Sequence, residues 1–175
     1  MSRGVTARER AYEALLAIEK DGRQSHLVMR EVWDKHVSET GGNADRDKAF
    51  FLRLVQGVLE YRLQLDYVLG SFSSTPVKKM KPQIRVILQM GVYQILYMDA
   101  VPDRAAVSES VNLTVKRGLG SLRGFVNGVL RTVAVNGPIL TIRKFSKEEI
   151  SLSDLIRYGS ITTECCGLLS ALVRS

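Results

Sequence analysis

Cysteine is nearly missing from this chain. There are two, and they are neighbours, Cys165 and Cys166. Adjacent cysteines seldom bridge to each other, and no CxxC or Cys/His spacing surrounds them, so neither a disulfide framework nor a zinc site is expected. Two idle thiols in a reducing compartment is the simpler reading. Histidine is as scarce: His26 and His36 stand alone, and both are expected as exposed helical residues rather than ligands or bases. The opening residues, MSRGVTARERAYEALL, lack the continuous apolar core of a secretory signal. No apolar run approaches the roughly 18 residues that cross a bilayer. These absences point to the cytoplasm. Phosphate-loop spacings are missing too. GLGSLRG at 118–124 fits neither GxxxxGK[ST] nor GxGxxG, and no strand precedes it. No nucleophile set, metal cluster or cofactor motif is visible, so no cofactor and no metal are expected. There is no internal repeat and no low-complexity segment.

What the chain has is positive charge. Lys and Arg number 25 against 18 Asp and Glu, a formal net charge of +7, and the pI is about 9.6. Such a balance favours a polyanionic partner. At 175 residues the chain is read as one domain with a tail, long enough to bury about two thirds of its unfolded surface.

The apolar pattern is helical almost throughout. Thr6 and Glu9 form a capping box, followed by Ala11, Leu15 and Ile18 at helical spacing with Tyr12 and Leu16 beside them. Asp21-Gly22 stops this helix. Ser25 is placed to cap a second, carrying Leu27, Val28, Val32 and Trp33, which ends before Gly41-Gly42-Asn43. A longer stretch runs from Asp45 to Leu69. Phe50, Leu54, Val58, Tyr61, Leu65 and Leu69 form its buried stripe, and a bend is expected near Leu63. GSFSSTP at 70–76 reads as a loop. Pro82 suits the first turn of a fourth helix, which is apolar on one face through Ile84, Ile87, Leu88, Gly91, Ile95 and Leu96 and therefore central. Gly91 costs about 1 kcal/mol there relative to alanine; close approach of a neighbouring helix is the expected compensation. A fifth helix, Arg104 to Arg117, carries the small or β-branched residues Ala105, Ala106, Ser108 and Val111. A sixth, Leu122 to Val135, buries Leu122, Phe125, Val126, Val129 and Leu130 and stops at Asn136-Gly137-Pro138. Alternating β-patterns are scarce apart from PILTI at 138–142. The fold expected is an all-α bundle of six or seven helices. Residues 1–140 form the domain and 141–175 the tail, where a capping box at Ser146 to Glu149 could open a short helix through Ile156.

Basic residues cluster in three places. Arg3, Arg8 and Arg10 sit at the amino terminus, with Lys20 and Arg23 further along. Lys116, Arg117 and Arg123 flank the glycine turn, and Arg131 follows. Lys78, Lys79 and Lys81 surround Pro82 and serve equally well as a solubilising loop. Arginine suits phosphate because its fork donates two parallel hydrogen bonds, and amides before a helix can receive a phosphate. The candidate phosphate contacts are therefore Arg3, Arg8, Arg10, Arg23, Lys116, Arg117, Arg123 and Arg131. Asp45 and Asp47 suit a helix start. Glu109 and Asn127 are expected to hydrogen-bond between helices.

Four segments taken in order carry a resemblance: RERAYEALLAIE at 8–19, DRDKAFFLRLVQGVLEYRLQLDYVL at 45–69, KPQIRVILQMGVYQILYMDAVPDRAAVSESV at 81–111 and RGFVNGVLR at 123–131. Together they resemble the NusB family of helical RNA-binding domains over about residues 5–137. Within it they are most similar to the amino-terminal domain of bacterial ribosomal RNA cytosine-5 methyltransferases of the RsmB or Sun type. Ser108 departs from the asparagine common there. The resemblance implies a NusB-like fold and RNA binding through the amino-terminal helix and its surroundings. It implies ribosomal RNA as partner, or a leader RNA together with a ribosomal protein in the manner of an antitermination factor. A separate methyltransferase domain is a further possible partner. In those enzymes a following domain uses S-adenosylmethionine and a cysteine nucleophile. Residues 143–175 contain neither a cofactor loop nor a Pro-Cys pair, so this chain is expected to bind RNA without methylating it.

Overall fold

The structure, a computed structural model, describes residues 5–35 and 44–136. Among these it holds seven α-helices and no strand: α1 (Ala7–Asp21), α2 (Ser25–Lys35), α3 (Ala44–Glu60), α4 (Arg62–Phe72), α5 (Pro82–Tyr97), α6 (Asp103–Lys116) and α7 (Arg123–Asn136), with 3₁₀ turns at Val77–Lys79 and Gly120–Leu122. PILTI at 138–142, the Ser146–Glu149 box, the tail, the cysteine pair, His36 and Arg3 lie outside the described residues.

The local signals act as the chemistry requires. The Thr6 hydroxyl accepts from the Glu9 amide at 3.3 Å, and the Glu9 carboxylate accepts from the Thr6 amide at 3.0 Å. Gly22 ends α1 in the left-handed region at φ 60°, donating its N–H to Ile18 O, where a side chain would be strained. Ser25 is the first helical residue rather than the cap: the Gln24 carbonyl accepts the first bond, from Val28 N at 3.2 Å. The long 45–69 stretch divides at Tyr61 (φ −91°, ψ 11°), two residues before the expected bend. α4 then continues to Phe72, through the first three residues expected as loop.

α5 is the central helix, packed against α1, α3, α4, α6 and α7. Ile84, Val86, Ile87, Leu88, Met90 and Val92 are all buried on it, each contributing about 1.5–3 kcal/mol. Two glycines let neighbours approach. A Cβ on Gly91 would lie 2.6 Å from Leu130 Cδ1 on α7 and 3.0 Å from Ser110 Oγ on α6, and one on Gly57 of α3 would overlap the Tyr93 ring. The expected close approach at Gly91 is therefore present. Polar side chains along α5 are paired. Gln89 donates to Asp66 Oδ1 at 2.7 Å. Arg85 binds Asp66 and reaches Glu19 at 3.2 Å, which ties α5 to α4 and α1.

Some faces are rotated from expectation. α6 buries Ala106, Val107, Ser110, Leu113 and Thr114, leaving Ser108 exposed and Val111 half-buried. Ser110 and Thr114 are tolerated inside because each hydroxyl donates to the carbonyl four residues back, at 2.8 Å. On α7 the buried set is Val126, Val129, Leu130 and Val133; Leu122 and Phe125 are half-buried. Phe50, Tyr61, Ile95 and Leu96 are likewise half-buried rather than core.

Candidate nucleic-acid interface

The capping box sets where α1 starts, and so places Arg8 and Glu9 in its first turn. Arg8 Nε donates to Gln94 Oε1 of α5 at 2.7 Å, and its guanidinium carbon lies 4.8 Å from the centre of the Phe50 ring of α3. Burial pulls the guanidinium below its ordinary pKa, while the charge of Glu109 opposes that shift. Arg8 lines a cleft of about 380 Å³ with Thr6, Glu9, Glu109, Asn112 and Lys116.

The end of α6 comes to the same place. Lys116 pairs with Glu9. Arg117 reaches Glu13 at 2.8 Å and lies 4.8 Å over the Tyr12 ring. Desolvation pushes the Glu9 carboxyl up, but the hydrogen bond from Lys116, the Thr6 amide and the charges of Lys116 and Arg117 outweigh it, and the net shift is downward. Burial also raises the Tyr12 hydroxyl, partly offset by Arg117.

After α6 the chain turns at Gly118 (φ 74°) and enters α7 through the 3₁₀ turn. Four amides here are already committed. Gly118 N donates to Val115 O, Leu119 N to Thr114 O and Leu122 N to Leu119 O, and Arg123 N to Gly120 O. The expectation that the glycine amides stay free for a phosphate is therefore corrected for Gly118, whose N–H is spent inside the turn. Arg123, the first residue of α7, is exposed and forms no ion pair among the described residues. Arg131 lies two turns on, in a groove of about 530 Å³ between α6 and α7 that it shares with Arg104, Ser108, Asn112, Asn127 and Val135.

The structure thus gathers Arg8, Lys116 and Arg117 around the α1–α6 junction, with Arg123 next along the chain. It does not bring Arg23 there. Arg23 follows the opposite end of α1 and pairs with Glu31 at 2.6 Å. Arg10 must be corrected. It is 1% exposed and stacks over Trp33, 4.7 Å from the ring centre, so burial withholds it from any phosphate. Position 10 lies on the inward face with Ala11 and Ala14, which single-residue charge cannot reveal. Glu109 and Asn127 make no interhelical hydrogen bond among the described residues; one faces the Arg8 cleft and the other the α6–α7 groove. His26 is exposed. Sequence reasoning missed Gln94 and Arg104. Only the position of Gln94 on a near-continuously apolar face hinted that its amide needed a partner. Among the described residues no three His, Cys, Asp or Glu side chains converge as metal ligands, and no helix is long and apolar enough to cross a membrane.

Comparison with known proteins places these observations. The chain is 34% identical over 132 residues to the "probable ribosomal RNA small subunit methyltransferase B" of Bacillus subtilis, covering 75% of this chain but 28% of that protein. A Synechocystis protein of the same name is 32% identical, with 27% of its length covered. The chain therefore spans about a quarter of the length of these relatives. It is also 33% identical over 141 residues to the transcription antitermination protein NusB of a Nocardioides species, covering 80% of this chain and 99% of that protein. Among solved structures, a chain from antitermination factors NusB and NusE in complex with dsRNA superposes with a TM-score of 0.65 at 19% identity, covering 74% of this chain and 93% of that one. T. maritima NusB gives 0.63 at 18%, covering 74% and 88%. At these identities the structural likeness is one of fold. The family match itself runs over residues 5–135, and the chain belongs to the NusB family.

Proposed function

We propose that this chain is an RNA-binding domain that docks on ribosomal RNA through phosphates, of the kind that accompanies the catalytic half of ribosomal RNA cytosine-5 methyltransferases. The carrying observation is the gathering of Arg8, Lys116 and Arg117 where α1 begins and α6 ends, with Arg123 next along the chain at the start of α7. Arg131, in the α6–α7 groove, is an outer member of the contact set. The methyltransferase relatives support the ribosomal target. The domain binds and does not catalyse; methyl transfer belongs to a domain of another kind.

A second reading is favoured by one observation: the chain spans nearly the whole of the Nocardioides NusB protein. In that reading the domain binds a leader RNA and a ribosomal protein, acting in the cytoplasm as an antitermination factor, and the NusB–NusE–dsRNA complex supports it.

The test is binding of a ribosomal RNA fragment and of a short single-stranded leader RNA, each at two salt concentrations. Preference for the ribosomal fragment is the expected outcome, and preference for the leader supports the second reading. Each phosphate contact adds roughly 0.7–0.9 to the slope of log affinity against log salt. Four cations acting together therefore give a slope of about three. Absence of binding to either RNA at low salt overturns both readings and makes the charge incidental.

A further inference from the structure

Gln94 lies in the last turn of α5 and is 1% exposed. Its orientation is dictated by chemistry. A backbone carbonyl only accepts and an arginine only donates. The amide Nε2 therefore donates to Met90 O, at 2.9 Å, and Oε1 is left facing Arg8 Nε, at 2.7 Å. Phe50 covers one face of the same guanidinium. Arg8 is thus held from inside at its Nε, while its two terminal nitrogens have no hydrogen-bond partner among the described residues. The side chain borders the cleft that Thr6, Asn112 and Lys116 also line. An arginine fixed in this way loses less rotamer freedom on meeting a ligand than a solvated one.

We propose that Gln94 is a positioning residue for nucleic acid: it fixes Arg8 so that the terminal guanidinium nitrogens face the cleft and receive one backbone phosphate with two parallel hydrogen bonds. This rests on the RNA-binding reading above. A glutamine that merely fills the core would affect melting temperature but not the salt dependence of binding.

The experiment uses the full chain and a fluorescently labelled, mixed-sequence single-stranded RNA. Arg8→Ala and Gln94→Leu are each expected to weaken binding about tenfold, the loss of one charge-assisted hydrogen-bonded contact. Each should lower the salt slope by about 0.7. The double variant should bind no more weakly than Arg8→Ala alone, because both changes remove the same contact. By NMR, the Arg8 Nε–H should exchange slowly in the wild type and in Gln94→Glu, which keeps an acceptor oxygen. Gln94→Leu binding at wild-type strength, or a double variant whose losses add in full, overturns the positioning role and leaves RNA binding intact. An Arg8 Nε–H that exchanges as fast as a solvated arginine in the wild type also overturns it, even if Gln94→Leu fails to fold. A wild-type chain that ignores the RNA at low salt removes the RNA reading itself.

Discussion

The α1–α6 junction and the surface of α7 are both rich in arginine, but they hold it differently. At the junction the described cations are engaged: Arg8 by Gln94, Lys116 by Glu9 and Arg117 by Glu13, with Arg10 buried over Trp33. On α7, Arg123 and Arg131 are exposed and make no ion pair among the described residues. Engaged cations are ordered in advance, and the two paired with Glu9 and Glu13 are partly neutralised; free ones keep their full charge and lose rotamer freedom when they bind. Net charge in the sequence therefore overstates what the junction offers a polyanion and describes α7 fairly.

Arg10→Glu should sharpen the contrast most. Placing a carboxylate where a buried cation packs on Trp33 should destabilise the fold by about 3–5 kcal/mol, read from denaturant unfolding. Arg123→Glu should leave stability within about 0.5 kcal/mol. Equal effects would break the distinction between held and free cations. The scaffold beneath both faces is tested by Gly91→Leu, which drives a side chain into Leu130 and Ser110. It should cost about 1–3 kcal/mol or more, and a native melting temperature would sink the packing argument. Next comes release of the held cations. Glu9→Gln with Glu13→Gln should strengthen RNA binding a few-fold and leave its salt dependence at least as steep as in the wild type. Glutamine at position 9 still serves the capping box, so stability should change little. Arg123→Glu should weaken the same RNA severalfold. The smallest effect is in pH. The folded Glu9 carboxyl lies below its ordinary value of about 4.3, so its ion pair and cap contribute stability above that value. That contribution is lost as pH falls through the lowered folded value. Acid titration of stability should show a slight extra loss there in the wild type and not in Glu9→Gln.

Much of the fold was legible because its signals are local. The Thr6–Glu9 box, Gly22 and Pro82 act within a turn of themselves, and they placed the ends of α1 and the start of α5. The long 45–69 stretch was harder. The apolar spacing continues across Tyr61, so periodicity alone indicated a bend but not a clean division into α3 and α4. The burial face of α6 was misjudged for a related reason. Ala105, Ser108 and Val111 look as suitable for packing as Ser110 and Thr114 until the hydroxyls find their own backbone acceptors. Of the candidate contacts, Arg8, Lys116, Arg117 and Arg123 are placed where a shared surface is possible. Arg10 and Arg23 are not, since one points inward and the other follows the far end of α1.

By itself the sequence determined the helical class, most helix ends, the centrality of α5 and the family, because hydrophobic period, capping chemistry and turn glycines act over a few residues. Only the tertiary structure decided which cations are free. Pairs such as Glu9 with Lys116 join residues more than a hundred positions apart, and Arg8 is oriented by a glutamine from another helix. Such contacts depend on how the helices pack, which no local spacing encodes.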